Sequence, residues 1–394
     1  MKLKIAMLGH KRIPSREGGV EVVVGELATR MCERGHEVTC YNRRGRHIGG
    51  VAATKKPLRE YRGVILKNVW TLDKKGLAAV TASLSASVRA AFGKYDVVHF
   101  HAEGPCAMMW LPKLFGKTCI ATIHGLDHQR AKWGKFASWY IRTGEKNAVR
   151  FSDRIIVLSP GVQQYFRDTY GIETTLIPNG VNRPAPREAR EISERFGLDK
   201  DGYFLYLGRL VPEKGADDLI RAYRHVKTDK KLVIAGSASD SADYAESLYA
   251  LAAGDERILF TGFVEGTLLE ELYSNAYAFV LPSKLEGMPL SLLEAMSYGN
   301  YPLVSDLPEC ADVVGDCGLT HKKGDEADLA AKLQYLCDRP DVVRHYRSAA
   351  ADYICEKYNW DDVTAQTLRL YGVTEAITPS APTEEREYQG ATDK

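Results

Sequence analysis

No apolar run in this 394-residue chain approaches the ~18–20 residues that cross a bilayer. The first nine residues, Met1 to Gly9, are broken by Lys2 and Lys4. They are too short an apolar stretch for a signal peptide and read better as a first β-strand. No C-x-x-C pair occurs among the eight cysteines, and no histidine stands beside them at zinc spacing, which excludes zinc-ribbon and thioredoxin-like readings. Several cysteines sit inside apolar runs, as buried free thiols do, so the expected compartment is reducing and cytoplasmic. No solenoid period is present. The G-x-G-x-x-G fingerprint of nicotinamide dehydrogenases is also missing. Net charge is scarce, at +2, and taken alone that argues against nucleic acid or anionic lipid as a partner.

The small sum hides a split. Residues 1–183 hold 30 Lys and Arg against 14 Asp and Glu, whereas residues 184–394 hold 23 against 37. Two oppositely charged halves suggest two domains with different partners. Two unequally charged, solvated surfaces would give the same numbers. Short β-branched and aliphatic runs recur along both halves: Lys4–Leu8, Glu37–Tyr41, Val64–Asn68, Val97–His101, Thr118–Ile123 and Arg154–Leu158, then Tyr203–Leu207, Lys231–Ala235, Ile258–Thr261, Ala278–Leu281 and Tyr301–Ser305. Runs with so few polar interruptions are strands buried on both faces of a parallel sheet. Helical patterns lie between them, such as Val20–Arg34 with Val20, Val24, Leu27, Ala28 and Met31 on one face. This alternation predicts an α/β fold of two Rossmann-like, doubly wound domains. The Pro-rich segment 182–188 is the linker, so the domains run 1–183 and 184–358. The tail 374–394 lacks apolar periodicity and is expected to be disordered. Ligands of such sheets bind at the carboxyl ends of strands, so both domains would offer loops to one cleft.

Several of those strand ends carry chemistry. Gly18 and Gly19 follow the first strand and precede a helix. They would expose N–H groups to an anion, with Lys11, Arg12 and Arg16 adding charge, but a loop that needs glycine for its backbone angles is an equal reading. Gly208-Arg209 and Lys214-Gly215 place two cations five residues apart on a bent loop, able to neutralise a diphosphate. Solvated surface charge is the plainer alternative. The stretch from Leu281 to Gly299 is the most informative. Glu286 falls in a loop before a helix, Pro289 suits the helix's first turn, and N–H groups of Gly287, Met288 and Leu290 could meet a phosphate or sugar oxygen. Glu294 lies on that helix among Leu292, Leu293, Ala295 and Met296, which argues against free solvation. In the first half, His99, His101 and Glu103 close one strand, and His124, Gly125 and Asp127 close another. His99 is read as a satisfied structural histidine. His101 with Glu103 could begin a metal site, but no third ligand stands at useful spacing.

Taken in order, Gly18-Gly19, His124-Gly125, Pro178-Asn179-Gly180-Val181, Gly208-Arg209 with Lys214-Gly215, Gly262-Phe263 and the Glu286-x7-Glu294 spacing resemble family 4 retaining glycosyltransferases of the GT-B fold. The resemblance spans about residues 3–372. The segment 12–20 looks closest to a bacterial subgroup associated with cell-surface polysaccharides, including rhamnosyltransferases. It implies an acceptor-binding domain 1–183, a nucleotide-sugar-binding domain 184–358, and a last helix within 359–373 that crosses back to the first domain. By the resemblance, Arg209 and Lys214 bind the diphosphate and stabilise it as it leaves. Glu294 holds the ribose hydroxyls. Glu286 contacts the donor sugar, with the backbone from Gly287 through Pro289 to Leu290 around it. Gly18 and Gly19 approach the distal phosphate, and Gly208 belongs to the same donor-binding set. His124 contacts the sugar near the reacting carbon, and Gly262, Phe263 and Val264 face the base. Arg16, His101, Glu103 and Asp127 are assigned to the acceptor side. Nothing resembles the D-x-D metal motif, so no metal and no other cofactor is expected. The partners implied are a nucleotide-diphosphate sugar and a glycan or lipid-linked acceptor, with no nucleic acid.

A sugar-nucleotide epimerase or phosphorylase of the same fold, or a non-catalytic nucleotide-sugar-binding protein, are the alternatives. The intact set Arg209, Lys214, Glu286 and Glu294 favours the transferase, and no lysine motif for pyridoxal phosphate is evident. The basic half, with Arg43, Arg44, Arg46, Lys55, Lys56, Arg59 and Arg62, then has a use. So does the segment 130–139, in which Arg130, Lys132 and Lys135 alternate with Trp133, Phe136 and Trp139. Mixed cations and aromatics of this kind suit peripheral docking on the inner face of an anionic membrane.

Overall fold

The computed structural model describes residues 2–45, 58–72, 74, 76–129, 134–238 and 242–373. The tail 374–394 and the expected surface residues Arg46, Lys55, Lys56, Arg130, Lys132 and Trp133 lie outside the described residues. Two sheets organise the rest. The first holds β1 (Lys4–Leu8), β2 (Glu37–Arg43), β3 (Glu60–Tyr61), β4 (Val64–Val69), β5 (Val97–His101), β6 (Thr118–Ile123), β7 (Arg154–Val157) and β8 (Thr175–Leu176), in the order β3-β4-β2-β1-β5-β6-β7-β8. The second holds β9 (Tyr203–Leu207), β10 (Lys231–Ala235), β11 (Ile258–Gly262), β12 (Ala278–Leu281), β13 (Tyr301–Ser305) and β14 (Leu319–His321), in the order β11-β10-β9-β12-β13-β14. Pairing is parallel throughout except between β3 and β4.

The unbroken apolar runs form the central strands because helices cover both faces of each sheet. Ile5, Met7, Val38 and Val97 point into one core of the first sheet, and Ala6, Leu8, Val98 and Phe100 into the other. The second sheet divides its strands the same way, with Tyr203, Leu205 and Val233 on one side and Phe204, Tyr206 and Ile234 on the other. Strand order reverses between β1 and β5 in the first sheet and between β9 and β12 in the second. Those reversals open the crevices where loops can receive a ligand.

Residues 182–190 contain neither helix nor strand. The last helix, Trp360–Leu370, lies on the helix Gly19–Glu33 of the first half. Trp360, Val363, Leu368 and Tyr371 join the core that holds Leu3, Ile5, Val24 and Leu27. The Trp360 ring packs on the backbone of Gly180, so closely that a β-carbon there would come within 2.6 Å of it. Arg34 Nη2 donates to the Asp361 carbonyl oxygen at 3.0 Å, and the Tyr371 hydroxyl lies 2.5 Å from His99 Nδ1. No helix among the described residues is long and apolar enough to cross a membrane, and all eight cysteines are free thiols.

Because Trp360 is 3% exposed and fills the joint between the two halves, Trp360→Ala is expected to lower stability by about 3–5 kcal/mol. Urea denaturation followed by circular dichroism measures this, and an unchanged midpoint would contradict the packing role.

Candidate active site

The second-half site is built from the loops after β9 and β12. Gly215 ends a short 3₁₀ turn, Pro212–Lys214, with φ of +66°, and a β-carbon there would stand 2.1 Å from the Pro282 carbonyl oxygen. Only glycine permits both that dihedral and that approach. The backbone N–H of Lys284 donates to the Glu213 carbonyl at 2.8 Å and completes the seam. These contacts bring Lys214 to Glu286, 72 positions away. Nζ donates to Oε1 at 2.6 Å, and the Ser283 hydroxyl donates to the same oxygen at 2.6 Å. Lys214 and Glu286 side chains are only 16% and 6% exposed, so water screens the pair weakly. The Arg209 guanidinium, half-buried at the end of β9, makes no hydrogen bond or ion pair among the described residues. A shielded guanidinium without a carboxylate is an anion site in waiting.

The helix Leu290–Ser297 carries Glu294. Pro289, expected in its first turn, instead caps it with extended backbone (φ −75°, ψ 109°), and its carbonyl accepts the N–H groups of Leu292 and Leu293. Proline has no N–H to give, so the cap position suits it as well as the first turn. Glu294 Oε1 pairs with Arg16, and its Oε2 accepts from the Tyr273 hydroxyl at 3.2 Å. Tyr273 stacks on Tyr298 at 5.4 Å. Arg16 was expected on the acceptor side. It reaches the second-half acid instead, and the Glu294 carboxylate holds its guanidinium pKa above the ordinary arginine value.

The first half meets this helix entrance through backbone. Gly287 has no room for a side chain, since a β-carbon would stand 1.9 Å from the His124 carbonyl oxygen and 3.1 Å from the Gly125 Cα. A β-carbon on Gly19 would lie 3.5 Å from Leu290, which places the glycine pair at the same entrance. The Asn179 backbone N–H donates to Met288 Sδ at 3.0 Å, and its Nδ2 donates to the Met288 carbonyl at 3.2 Å. Gly18, Gly19, His124, Gly125, Asn179, Gly287, Met288 and Leu290 therefore converge. Gly262 ends β11, and Phe263 and Val264 follow it elsewhere along the edge. There the Gly236 N–H donates to the Gly262 carbonyl at 2.8 Å, and Phe263 is exposed.

His101 and Glu103, read as acceptor-side residues, have no exposed surface. His101 is buried in its strand and Glu103 beneath the helix Lys135–Phe151, so their side chains do not present to a ligand in the cleft. His101 Nδ1 lies 3.2 Å from His124 Nε2. His99 is paired on both ring nitrogens, with Thr122 Oγ1 at 2.7 Å and Tyr371. Glu103 faces His128 and Glu145 rather than His101. Burial and the neighbouring Glu145 hold its carboxyl well above the usual range. Asp127 begins the 3₁₀ turn Asp127–Gln129 and is partly exposed. Arg43 does not belong to the basic surface, because its Nη2 donates to the Gly9 carbonyl at 3.0 Å. Glu21, Tyr273 and Ser283 had not been singled out. Glu21 is 6% exposed and accepts the Lys11 N–H at 2.7 Å, which shapes the loop before Gly18. Ser283, three residues before Glu286, and Glu21, two after Gly19, stand near predicted site residues in sequence, whereas Tyr273 does not.

Residues 17–183 match the family described as Glycosyltransferase Family 4, and residues 188–353 match Glycosyl transferases group 1. An uncharacterized glycosyltransferase of Methanocaldococcus jannaschii is 25% identical over 94% of this chain and 98% of its own length. The O-antigen chain mannosyltransferase B of Escherichia coli is 30% identical over 48% of this chain and 50% of its own. Among solved structures, Anabaena HepE in complex with UDP and glucose has a TM-score of 0.78 at 17% identity, covering 94% of this chain and 99% of that one. The two parallel-sheet domains are thus those of the GT-B fold.

The buried imidazoles set a pH dependence. Burial lowers the pKa of His10 to about 4 and of His99 to about 3, with the nearby His124 adding to the shift at His99. The fold holds both neutral, whereas the unfolded chain protonates them near 6.5. Their stabilisation is therefore complete above about pH 6.5 and declines as pH falls toward 4, by up to about 1.4 kcal/mol per pH unit for each. His99→Gln should make that decline shallower by up to this amount, as read by urea denaturation at pH 7 and pH 5. Equal declines in both proteins would mean that His99 is charged in the fold.

Proposed function

Because the chain belongs to the group 1 / family 4 glycosyltransferases, we propose that it moves a sugar from a nucleotide-diphosphate sugar to a glycan or lipid-linked acceptor in bacterial cell-surface polysaccharide synthesis, with retained anomeric configuration. The observation that carries this reading is the Arg209 guanidinium, which has no partner among the described residues. It sits at the reversal of the second sheet on the loop that holds the Lys214–Glu286 pair. Negative charge grows on the diphosphate as the bond to the sugar breaks, and fixed cations aimed at it lower that barrier. Arg209 forks onto the diphosphate and Lys214 shares its charge between Glu286 and the phosphate. The N–H groups at Gly18 and Gly19 approach the distal phosphate from the first half. Glu294 accepts from the ribose hydroxyls beside Arg16 and Tyr273, and Gly262 to Val264 lie toward the base. Glu286 and His124 flank the sugar. The bond from the anomeric carbon to the phosphate oxygen breaks as the bond to the acceptor oxygen forms on the same face. The acceptor proton passes to the leaving phosphate oxygen. With two cations on the diphosphate, the reaction is proposed to need no divalent metal there. The UDP and glucose held by HepE support a nucleotide-sugar donor, and the O-antigen mannosyltransferase supports a polysaccharide product.

The helix Lys135–Phe151 supports a membrane partner for the first half. Lys135, Trp139, Arg142, Lys146 and Arg150 recur every three or four residues, so they form one stripe, and all are exposed. Phe136 and Trp139 are 64% and 61% exposed and lie 5.9 Å apart. Cations flanking exposed aromatics suit an anionic lipid surface. Arg44, Arg59 and Arg62 are exposed in the same half.

A screen of UDP-, GDP- and dTDP-sugars, read by nucleotide release, identifies the donor, and NMR of the product reads its anomeric configuration. Arg209→Ala and Lys214→Ala are each expected to lower kcat about 10²–10³-fold. Full activity in either variant, or a strict need for added Mn²⁺ or Mg²⁺, would overturn the diphosphate assignment. The protein should sediment with vesicles containing phosphatidylglycerol at low salt and release at high salt, and Phe136→Ala/Trp139→Ala should weaken the binding. Sedimentation indifferent to anionic lipid and salt would remove the membrane reading.

A further inference from the structure

Three buried groups that the proposed reaction does not use meet behind the His124 loop. Glu103 opens a short helix after β5, and His128 lies in the turn three residues beyond Gly125. Glu145 sits on the helix Lys135–Phe151. Gly144 presses that helix onto the first segment, since a β-carbon there would stand 2.0 Å from the Glu103 carbonyl oxygen. His128 Nδ1 lies 3.6 Å from Glu103 Oε1 and 3.3 Å from Glu145 Oε2, and the donor atoms of all three fall within 4.8 Å of one another. Glu103 is 0% exposed and Glu145 1%.

The hydrogen bonding is one-sided. Glu145 Oε1 accepts from the hydroxyls of Tyr165, at 3.0 Å, and Tyr170, which fixes the carboxylate and turns Oε2 toward the other two groups. Among the described residues, that Oε2, both oxygens of Glu103 and His128 Nδ1 are buried and make no hydrogen bond of ordinary geometry, although the Glu103 and Glu145 carboxyls are close enough to interact. Four unsatisfied atoms around one point are a strong anomaly, because buried polar groups are otherwise almost always paired. Zn²⁺ holds nitrogen and oxygen ligands at about 2.0–2.2 Å in a tetrahedron, which sets neighbouring ligand atoms roughly 3.3–3.6 Å apart. Both measured separations from His128 fall in that range. Two carboxylates also balance a divalent charge. The imidazole favours a transition metal over Mg²⁺ or Ca²⁺, which prefer all-oxygen shells. The two tyrosine hydroxyls act as the outer partners that orient a metal-bound carboxylate.

We propose that Glu103, His128 and Glu145 bind one Zn²⁺ ion inside the first half, apart from the donor-binding loops. By joining the short helix after β5, the 127–129 turn and the helix Lys135–Phe151, the ion holds the His124–Gly125 strand end against Gly287. It is a positioning site and takes no part on the diphosphate.

The full chain, purified without chelator from zinc-supplemented cells, is expected to contain about one zinc per molecule by mass spectrometry of the elements. Removing the metal with a strong chelator should lower Tm by several degrees. Zn²⁺ should restore it, and Mg²⁺ or Ca²⁺ should not. Glu103→Gln and His128→Ala should lose the zinc, whereas Lys214→Ala should keep it in full. Co²⁺ added to the metal-free protein should give the visible absorption of a low-coordinate site, a readout that does not require the variants to fold. Folded protein without stoichiometric zinc and without a Tm response to Zn²⁺ would overturn the proposal, leaving carboxyls and imidazole that share a proton. Zinc lost equally from Lys214→Ala would overturn it by moving the metal to the donor loops.

Discussion

The two halves of the molecule meet at the centre of their cleft through bare backbone. A side chain on Gly287 would collide with the His124 carbonyl, 1.9 Å from the place of its β-carbon, and one on Gly125 would crowd the Gly287 Cα at 3.3 Å. This contact lies between two of the groups assigned to the proposed reaction. His124 is one residue away on one side, and Glu286 one residue away on the other. Gly19 rests on Leu290 at the same entrance, and Asn179 holds Met288 from a third segment. A backbone contact has no rotamers to vary, so it sets the distance between the halves more firmly than a side-chain contact would.

Among the described residues, charge in the cleft is partly paired. Lys214 lies on Glu286 and Arg16 on Glu294, while Arg209 stays without a carboxylate. The paired cations keep the unliganded site from carrying bare buried charge, which would be costly. The unpaired one leaves an affinity for an anion that no described residue satisfies. Arg16 comes from the basic half and Glu294 from the acidic half. The opposite charges of the two halves therefore meet across the active site as well as distinguishing their outer surfaces.

The crossing helix Trp360–Leu370 couples these features to the fold. It carries second-half chain onto the first half, and Trp360 seals the Gly180 turn that follows Asn179. His99, deep under the His101–His124 pair, takes its outer hydrogen bond from Tyr371, just beyond that helix. The histidine row beneath the cleft is thus fastened by the far end of the chain.

Much of this was legible from local pattern. The runs Lys4–Leu8, Val97–His101 and Tyr203–Leu207 became strands with those bounds, because burial on both faces leaves an unbroken apolar signature. The strands that left no such run, β3, β8 and β14, are two or three residues long and lie at sheet edges, where half the burial is absent. The glycines, Arg209, Lys214, Glu286 and Glu294 stand at predicted strand ends in an order that resembles family 4 glycosyltransferases. Spacing could not say that Arg16 belongs to Glu294, 278 positions on, or that Glu103 looks to His128 and Glu145 rather than to His101. Closeness in sequence suggested His101 with Glu103, but the strand ends at His101 and Glu103 opens the next helix, where it meets other partners. Sequence determined the elements and the kinds of chemistry at their ends. Only the tertiary structure decided which ends face one another, because that depends on how two sheets and a returning helix pack, a constraint with no local period to read.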